Sequence, residues 1–499
     1  MSSDKREING NSIHTKKESI KDVEQLKQLF KRSSDVQFQQ YTFNEYSVLF
    51  VTCDAMIDEQ MLNKVIVERV RSFLMEVEDD PFKKAIKSQL HLPALQKLEK
   101  QDDIISHVYT GHVILYFEDV NMIYSSNIVD KPNRNPEETK TEMPVKGPRD
   151  NFIEDISVNI ALVRKRLPTN SLCVEKFKVG RRTKTTVAVL YFDDIVNKDI
   201  LHGITKKIEE IDLNIDVLFS GDVLMEFIDK RSKLFPRHDY TGRPDFAVQS
   251  LIRGRVFILV DGVAYGMITP VNLFLLFKTV EDNEYPTIYS SFERLLRVFG
   301  IIIGILLPAF WLALTTYHQN QLPLQLLATV VQASTGLPFP SALEMLIMLI
   351  MFELFREAGL RLPEAIGSTL SVVGGLIIGD AAIRAGVTSP AMVVIIALSV
   401  ISTYTLVNQS FVSAVSMIRI FSIIATAFFG LFGFFVSFYF ILLFLANVRV
   451  FGVPYLNVAD DIKWSTIKRT FLRQSQKEYS TRPSVLKPID DTRIKEDKK

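Results

Sequence analysis

The chain has 499 residues, 47% of them hydrophobic, and a formal net charge of +1 at pH 7. Nucleic-acid-binding proteins are expected to carry a strongly basic surface, and this balanced charge, with no arginine-rich motif, excludes that class. The charges are unevenly placed, because no Asp, Glu, Lys or Arg occurs from Val298 to Leu343. The sequence therefore predicts tandem α/β cytoplasmic subdomains followed by an α-helical multi-pass membrane domain.

Changes in composition predict the boundaries of these parts. The N-terminus is polar throughout and has no apolar stretch of signal-peptide length, so we expect the first half to stay in the cytoplasm. The predicted segments are a disordered tail (1–18), a first cytoplasmic α/β subdomain (19–130), a linker rich in proline and charge (131–149), a second cytoplasmic α/β subdomain (150–290), a transmembrane helical domain (291–450) and a basic cytoplasmic C-terminal tail (451–499).

Within the α/β half, strands and helices alternate. Hydrophobic periodicity predicts a buried strand at 46–54 and helices at 61–74 and 150–167. Two hairpins are predicted, one turning at Glu118 and Asp119, the other at Asp261 and Gly262, where glycine supplies the positive φ of the turn. The basic run Arg164, Lys165 and Arg166 ends the helix at 150–167, and we interpret it as a solvated face or a subunit contact.

The membrane half contains five apolar segments, at 300–318, 343–359, 366–384, 390–408 and 420–448. A basic C-terminal tail belongs in the cytoplasm by the positive-inside tendency, as does the N-terminal half, so an even number of crossings is required. We interpret the most polar segment, 343–359, as non-crossing or re-entrant, in preference to the alternative of a hairpin within 420–448.

Charged residues inside or near a bilayer are costly and need a partner, water or a function. We predict a charged cluster of Glu353, Arg356, Glu357, Arg361 and Arg384. The first four form either a structural salt-bridge cluster at the headgroup level or a gate. Asp380 and Arg384 are one helical turn apart and able to pair. This pair either ends the span at the interface or belongs to a charge ring at a pore mouth.

The segment 366–386 is rich in small residues, with Gly375 and Gly379 at a GxxxG spacing that permits close helix packing. One interpretation is a packing seam within a single subunit. The other is a helix that lines a central pore, with an apolar constriction that gates by dewetting. In that second interpretation the pore-lining or gating residues are Ser368, Ser371, Val373, Ile377 and Asp380.

No P-loop, GxSxG or HExxH motif occurs, and the seven histidines are scattered, so we expect no enzymatic activity, no cofactor and no metal site. Cys53 and Cys173, the two cysteines, are far apart in the sequence and without a CxxC spacing. They are expected to be reduced core residues in a cytosolic setting.

Seven blocks follow one another along nearly the whole chain: GPRDNFIEDISVNIALVRKRL (147–167), GRVFILVDG (254–262), PFP (338–340), FREAGLRLPEAIG (355–367), GGLIIGDAA (374–382), FGVPYL (451–456) and TRP (481–483). In their order and spacing these blocks resemble the A subunits of spore germination receptors, the GerA family. Asn151, in a place where the family is expected to have a small residue, departs from the pattern.

The resemblance implies a protein of the spore inner membrane that acts with a transporter-like B subunit and a lipoprotein C subunit. It implies that A subunits assemble in the bilayer into a homo-oligomeric, nutrient-gated ion channel, with monovalent cations as permeant ions, while the B subunit binds most of the germinant. Two alternatives remain open, a secondary transporter and a non-conducting scaffold for the other subunits.

Overall fold

The computed structural model describes most of the chain, with gaps. The described residues are 22–43, 46–54, 56–76, 86, 90–130, 148, 150–212, 215–229, 234–279, 282, 284–361, 379–406, 408–456, 464–474 and 481–493.

The first α/β unit is built on a five-stranded antiparallel sheet in the order β1-β2-β4-β5-β3. Its elements are α1 (Val23–Leu29), β1 (Val36–Phe43), β2 (Tyr46–Cys53), the continuous helical segment α2 (Glu59–Met61, Leu62–Ile66 and Val67–Glu76), β3 (Gln96–Leu98), α3 (Gln101–Tyr109), β4 (His112–Phe117) and β5 (Met122–Asn127). Buried side chains of α1 and α3 cover one face of the sheet, and those of α2 cover the other.

The second α/β unit repeats that arrangement, with strand order β6-β7-β9-β10-β8. Its elements are α4 (Ile156–Arg166), β6 (Leu172–Val179), β7 (Thr185–Phe192), α5 (Lys198–Asp212), α6 (Gly221–Ile228), β8 (Asp239–Thr241), α7 (Pro244–Ile252), β9 (Val256–Val260) and β10 (Gly266–Thr269). The two sheets share strand order and antiparallel pairing, so the units are two copies of one topology.

Both hairpins predicted from turn chemistry are confirmed. β4 pairs with β5 from Phe117 opposite Met122 outward, and β9 pairs with β10 across the turn at Gly262, whose φ is +82°. The tandem α/β prediction is confirmed with them. One face of the second sheet packs against α5 and α6, while its other face joins a core that continues into the helical half.

The two units meet at a buried ion pair. Arg164 on α4 is fully buried and binds Asp35, which precedes β1, through two hydrogen bonds, Nε to Oδ2 at 2.7 Å and Nη2 to Oδ1 at 2.9 Å. The guanidinium carbon of Arg164 lies 4.1 Å from the centre of the Tyr109 ring. The interpretation of Arg164 as a solvent-facing residue is therefore wrong, because a carboxylate from the other unit compensates its charge.

The helical half follows. Its helices are α8 (Thr287–Thr316), α9 (Leu324–Ser334), α10 (Ser341–Arg361), α11 (Gly379–Arg384), α12 (Pro390–Thr403), α13 (Gln409–Asn447) and α14 (Trp464–Phe471), with strands β11 (Arg449–Val450) and β12 (Val453–Pro454) between the last two. Among the described residues, two helical segments, Thr287–Thr316 and Ser410–Asn447, are long and apolar enough to cross a membrane.

The last apolar helix, α13, folds back on itself. Phe411 and Phe444 both lie within 6.2 Å of the ring of Phe235, whereas 33 residues of straight helix would separate them by roughly 50 Å. The reversal occurs at Gly430, whose φ of 60° and ψ of −140° are not helical. We call α13 the hairpin, with a first limb at 409–429 and a second limb at 431–447.

From the sequence, we predict a re-entrant segment at 343–359 in preference to a hairpin within 420–448. That preference is wrong, because the last apolar helix does form a hairpin. α10 is a continuous helix of 21 residues, about 31 Å long at 1.5 Å per residue. Each limb of the hairpin has 17 or more residues, which is within the range that spans a hydrocarbon core. The reversal was hard to predict because a single glycine within a run of aromatic and small residues carries it.

Gly430→Ala is expected to destabilise the protein by roughly 1–3 kcal/mol, because an alanine would be forced into a backbone conformation that only glycine adopts readily. A Cβ there would also lie 2.9 Å from the ring of Tyr317, at the end of α8. Thermal unfolding of the detergent-purified protein measures the effect. Gly359→Ala is the control, since a Cβ at Gly359 meets nothing within 4 Å. Equal unfolding temperatures for the Gly430 variant and wild type would contradict this account of the turn.

The C-terminal residues 481–493 pack against the second α/β unit. Arg482 donates through Nε to the carbonyl oxygen of Ile252 at 3.0 Å, and the amide of Ile489 donates to the carbonyl oxygen of Ile195 at 3.0 Å. Leu486 is buried in the core of that unit. This part of the predicted tail therefore completes the second unit.

Candidate functional site

A cluster of ionisable side chains lies among the apolar helices. Glu353 on α10 accepts hydrogen bonds from two arginines, Arg419 Nη2 to Oε1 at 2.7 Å and Arg356 Nη2 to Oε2 at 2.7 Å. Ser416 donates to Glu353 Oε1 at 2.8 Å and accepts from both arginines at 3.0 Å. One carboxylate and one hydroxyl therefore tie α10 to the first limb of the hairpin.

Arg419 is the most deeply placed member, with a fully buried side chain. Its Nη1 donates to Ser399 Oγ on α12 at 2.9 Å, and that hydroxyl donates to the carbonyl oxygen of Gly304 on α8 at 2.8 Å. Its Nε has no hydrogen-bond partner in the described part of the chain. A charge held among membrane helices is expensive unless it is paired, so Arg419 and Glu353 fix the packing of four helices at one point.

Two members of the predicted charged cluster are in direct contact. Glu353 and Arg356 are joined, Glu357 is exposed one turn further on, and Arg361 ends α10 with a side chain outside the described residues. Arg384 does not belong to the cluster. It pairs instead with Asp380, as the spacing allowed, at 2.7 Å from Nε to Oδ2.

Sequence reasoning missed Arg419. The last predicted apolar segment begins at residue 420, one position after this arginine, although a single arginine within an apolar run itself indicates a buried acid nearby. Its partner Glu353 is 66 residues away in sequence. Helical spacing reveals partners three or four residues apart, and it could not reveal this one.

The predicted pore helix is described only at its end. Ser368, Ser371, Val373, Gly375 and Ile377 lie outside the described residues. Gly379 begins α11 and is buried, with Val393 of α12 at 3.9 Å from the position a Cβ would take. Asp380 and Arg384 keep 57% and 79% of their side-chain surface exposed.

A second buried acid holds the start of α10. Glu344, with 3% of its surface exposed, accepts hydrogen bonds from Thr388 Oγ1 at 2.8 Å and from the amide of Ser389 at 2.6 Å. Both donors lie in the turn before α12. This carboxylate therefore anchors α10 to the turn that follows Asp380 and Arg384.

Charges also gather where the second unit leads into α8. Asp282 accepts from Arg294 Nε at 2.7 Å and from Arg297 Nη1 at 2.9 Å. Burial acts to raise the pKa of Asp282, but the two arginines outweigh it and hold that pKa below its usual value. The ionised carboxylate thus fixes the base of α8.

A large open cavity of about 1160 Å³ lies between the two α/β units. Its lining includes Lys31, Arg32, Glu175, Asp193 and Asp194. Arg32 and Asp193 form an ion pair across it. Among the described residues, no three His, Cys, Asp or Glu side chains are placed to hold a metal ion.

Comparison with known proteins places the chain in a family. The family model of the Bacillus/Clostridium GerA spore germination protein matches residues 24–485. Spore germination protein XA of Bacillus anthracis is 41% identical over 90% of this chain and 91% of its own length. The uncharacterized membrane protein YfkQ of Bacillus subtilis (strain 168) is 31% identical over 93% and 90%.

Among solved structures, the N-terminal domain of the A subunit of the Bacillus megaterium spore germinant receptor GerK3 is similar over 50% of this chain and 92% of its own length. That similarity has 24% identity and a TM-score of 0.37. The family match covers far more of the chain and carries the assignment by itself. The chain belongs to the GerA family of spore germination proteins.

Proposed function

We propose that this chain is the A subunit of a nutrient-sensing germination receptor and that copies of it assemble into a gated ion channel. Membership of the GerA family supports the receptor role. The observation that carries the channel is the ion pair of Asp380 and Arg384, which stays largely exposed although it lies between apolar helices. Charges at such a place need water or another chain.

A ring of subunits around a common axis would supply both. Asp380 would then line a water-filled opening with Ser368 and Ser371, while Val373 and Ile377 would form the dry constriction. A ring of acids suits the passage of monovalent cations. The Glu353–Arg419 cluster would hold the neighbouring helices α10, α12 and α13 in place around such a ring.

The proposed placement in the membrane rests on contacts between the second α/β unit, the hairpin and the C-terminal residues. Both ends of the hairpin contact Phe235 of the second unit, and residues 481–493 pack on that unit. These contacts support both termini on one side, which we propose is the cytoplasmic side of the spore inner membrane. A transporter-like B subunit and a lipoprotein C subunit would complete the receptor, with no enzymatic step in this chain.

Val373→Ala and Ile377→Ala are expected to widen the constriction, so that spores release monovalent cations and germinate without nutrient. Flame photometry of the medium around dormant spores measures the leak. Val394→Ala is the matched control, because Val394 lies on α12 with 63% of its surface exposed, and it should leave spores dormant.

Normal dormancy in both constriction variants, with the proteins present at wild-type level, would refute the pore. The chain would then act as a scaffold for its partners. Liposomes that contain the transporter-like subunit but lack this chain provide the second comparison. Cation flux across their membranes would favour a transporter.

A further inference from the structure

Residues 235–239, which we call the strap, touch the hairpin and α6 in turn. Phe235 lies between Phe411 and Phe444, at the two ends of the hairpin. The carbonyl oxygen of Pro236 accepts from Tyr455 Oη at 2.9 Å, and Tyr455 directly follows β12. The strap is therefore fastened to the base of the hairpin on both limbs.

The same strap is fastened to α6 through its other side chains. Arg237 Nη1 contacts Asp229 Oδ1 at 2.5 Å, at the end of α6. His238 Nε2 lies 2.9 Å from Asp222 Oδ1, in the first turn of α6. A displacement of α6 thus reaches the hairpin through five consecutive residues.

The last residue of the strap makes its most specific contact. Asp239 Oδ1 accepts from Asn408 Nδ2 at 2.7 Å, and both side chains are at least 94% buried. Asn408 Oδ1 in turn accepts from the amide of Phe411 at 3.0 Å and caps the first limb. One planar amide makes both bonds, so the carboxylate and the helix N-terminus hold a fixed relative position.

Charge favours the same arrangement. A carboxylate close to a helix N-terminus is stabilised by the helix dipole. The charged and titratable groups that act on Asp239 are His238, Arg255 and Tyr455. Burial raises the pKa of Asp239 to about 6, against the lowering effect of the Asn408 hydrogen bond.

We propose that Asp239 and Asn408 form the joint through which the second α/β unit sets the position of the hairpin. Its use in gating rests on the proposed channel function. Asp239 and Asn408 are positioning residues in this account, since neither is placed in the pore.

The test exchanges the two side chains. Asn408→Asp keeps the cap, because aspartate caps helices as well as asparagine, but it sets a second carboxylate against Asp239. Asp239→Asn in the same chain restores one amide facing one carboxylate. Asn408→Ser, which also keeps a capping oxygen, replaces Asn408→Asp if that variant does not fold.

Two readouts are taken on the full-length protein with its receptor partners. Spin labels at Val223 on α6 and at Phe428 near the hairpin turn report the distance between unit and hairpin. Potassium efflux from potassium-filled vesicles that carry the complex in their membrane reports basal opening of the channel. We expect Asn408→Asp at pH 8 to broaden the distance distribution and to change basal efflux about tenfold, the factor set by one hydrogen bond to a charged group.

The exchanged pair should restore the narrow distribution and bring efflux to within about twofold of wild type, as expected when complementary partners are re-formed. At pH 5, where two facing carboxylates share a proton, Asn408→Asp should also return toward wild type. A purely structural loss of the cap would show neither recovery.

An unchanged distance distribution in Asn408→Asp at pH 8, or an exchanged pair that recovers nothing, would overturn the joint. If the distances respond as expected while no variant or wild-type complex passes potassium, the joint stands and the channel proposal fails. The two inferences are therefore separable.

Discussion

Glu353→Gln is expected to lower the free energy of unfolding by about 3–5 kcal/mol, the cost of removing the counter-charge of a buried arginine. Glutamine keeps the volume of the side chain and one acceptor oxygen. It leaves Arg356 and Arg419 facing each other without the carboxylate that they share. Because Arg419 is fully buried, water cannot replace the lost charge.

Thermal or chemical unfolding in one detergent measures this difference. Asp216→Asn is the control, since the ion pair of Asp216 with Arg182 keeps 57% and 79% of its side-chain surface exposed, and such pairs contribute at most about 1 kcal/mol.

Combining Glu353→Gln with Arg419→Met separates charge from packing. Arg419→Met removes the buried charge that Glu353→Gln leaves without its partner, so the double variant should regain part of the loss. A loss below 1 kcal/mol in Glu353→Gln alone would mean that the arginines have another counter-charge, and the cluster would lose its role in fixing α10 to the hairpin.

Local rules predicted the parts of this fold that local chemistry determines. The turns at Glu118–Asp119 and at Asp261–Gly262 follow from residues that adopt a turn without help from the rest of the chain. The i,i+3 pair of Glu353 and Arg356 follows from helical spacing in the same way.

Features that depend on distant residues were not predictable from these patterns. Arg419 meets Glu353 across 66 positions, and Asp239 meets Asn408 across 169 positions. Arg164 belongs to a basic run of the kind that is usually solvated. It is buried because Asp35 of the other unit binds its guanidinium. Apolar composition identified the helices but gave no information on which polar residues would face one another.

Asp35→Asn is expected to destabilise the joined α/β units by about 3–5 kcal/mol, since it leaves the guanidinium of Arg164 buried without its counter-charge. The side chains of Asp35 and Arg164 are 1% and 0% exposed. Burial opposes the charge on Arg164, but Asp35 outweighs it and raises the pKa of Arg164 above its usual value. An arginine guanidinium is protonated at any ordinary pH, so without Asp35 it stays charged and can reach water only if the units separate.

Separation of the units is measurable apart from global unfolding. Hydrogen exchange should become faster at Ser34, whose amide donates to the carbonyl oxygen of Val174 at 3.0 Å, and at Val174, whose amide donates to the carbonyl oxygen of Arg32 at 3.2 Å. The sheet interiors should keep their protection.

Arg32→Gln is the matched control, because Arg32 and Asp193 also pair across the two units but keep 59% and 33% of their side-chain surface exposed. It should cost less than about 1 kcal/mol. If Asp35→Asn and Arg32→Gln behave alike, the interface is held by its apolar contacts and the buried pair adds no more than a surface one. If only Asp35→Asn opens the interface, a single carboxylate holds the two α/β units together as one body. Any movement passed to the hairpin then starts from both units moving together.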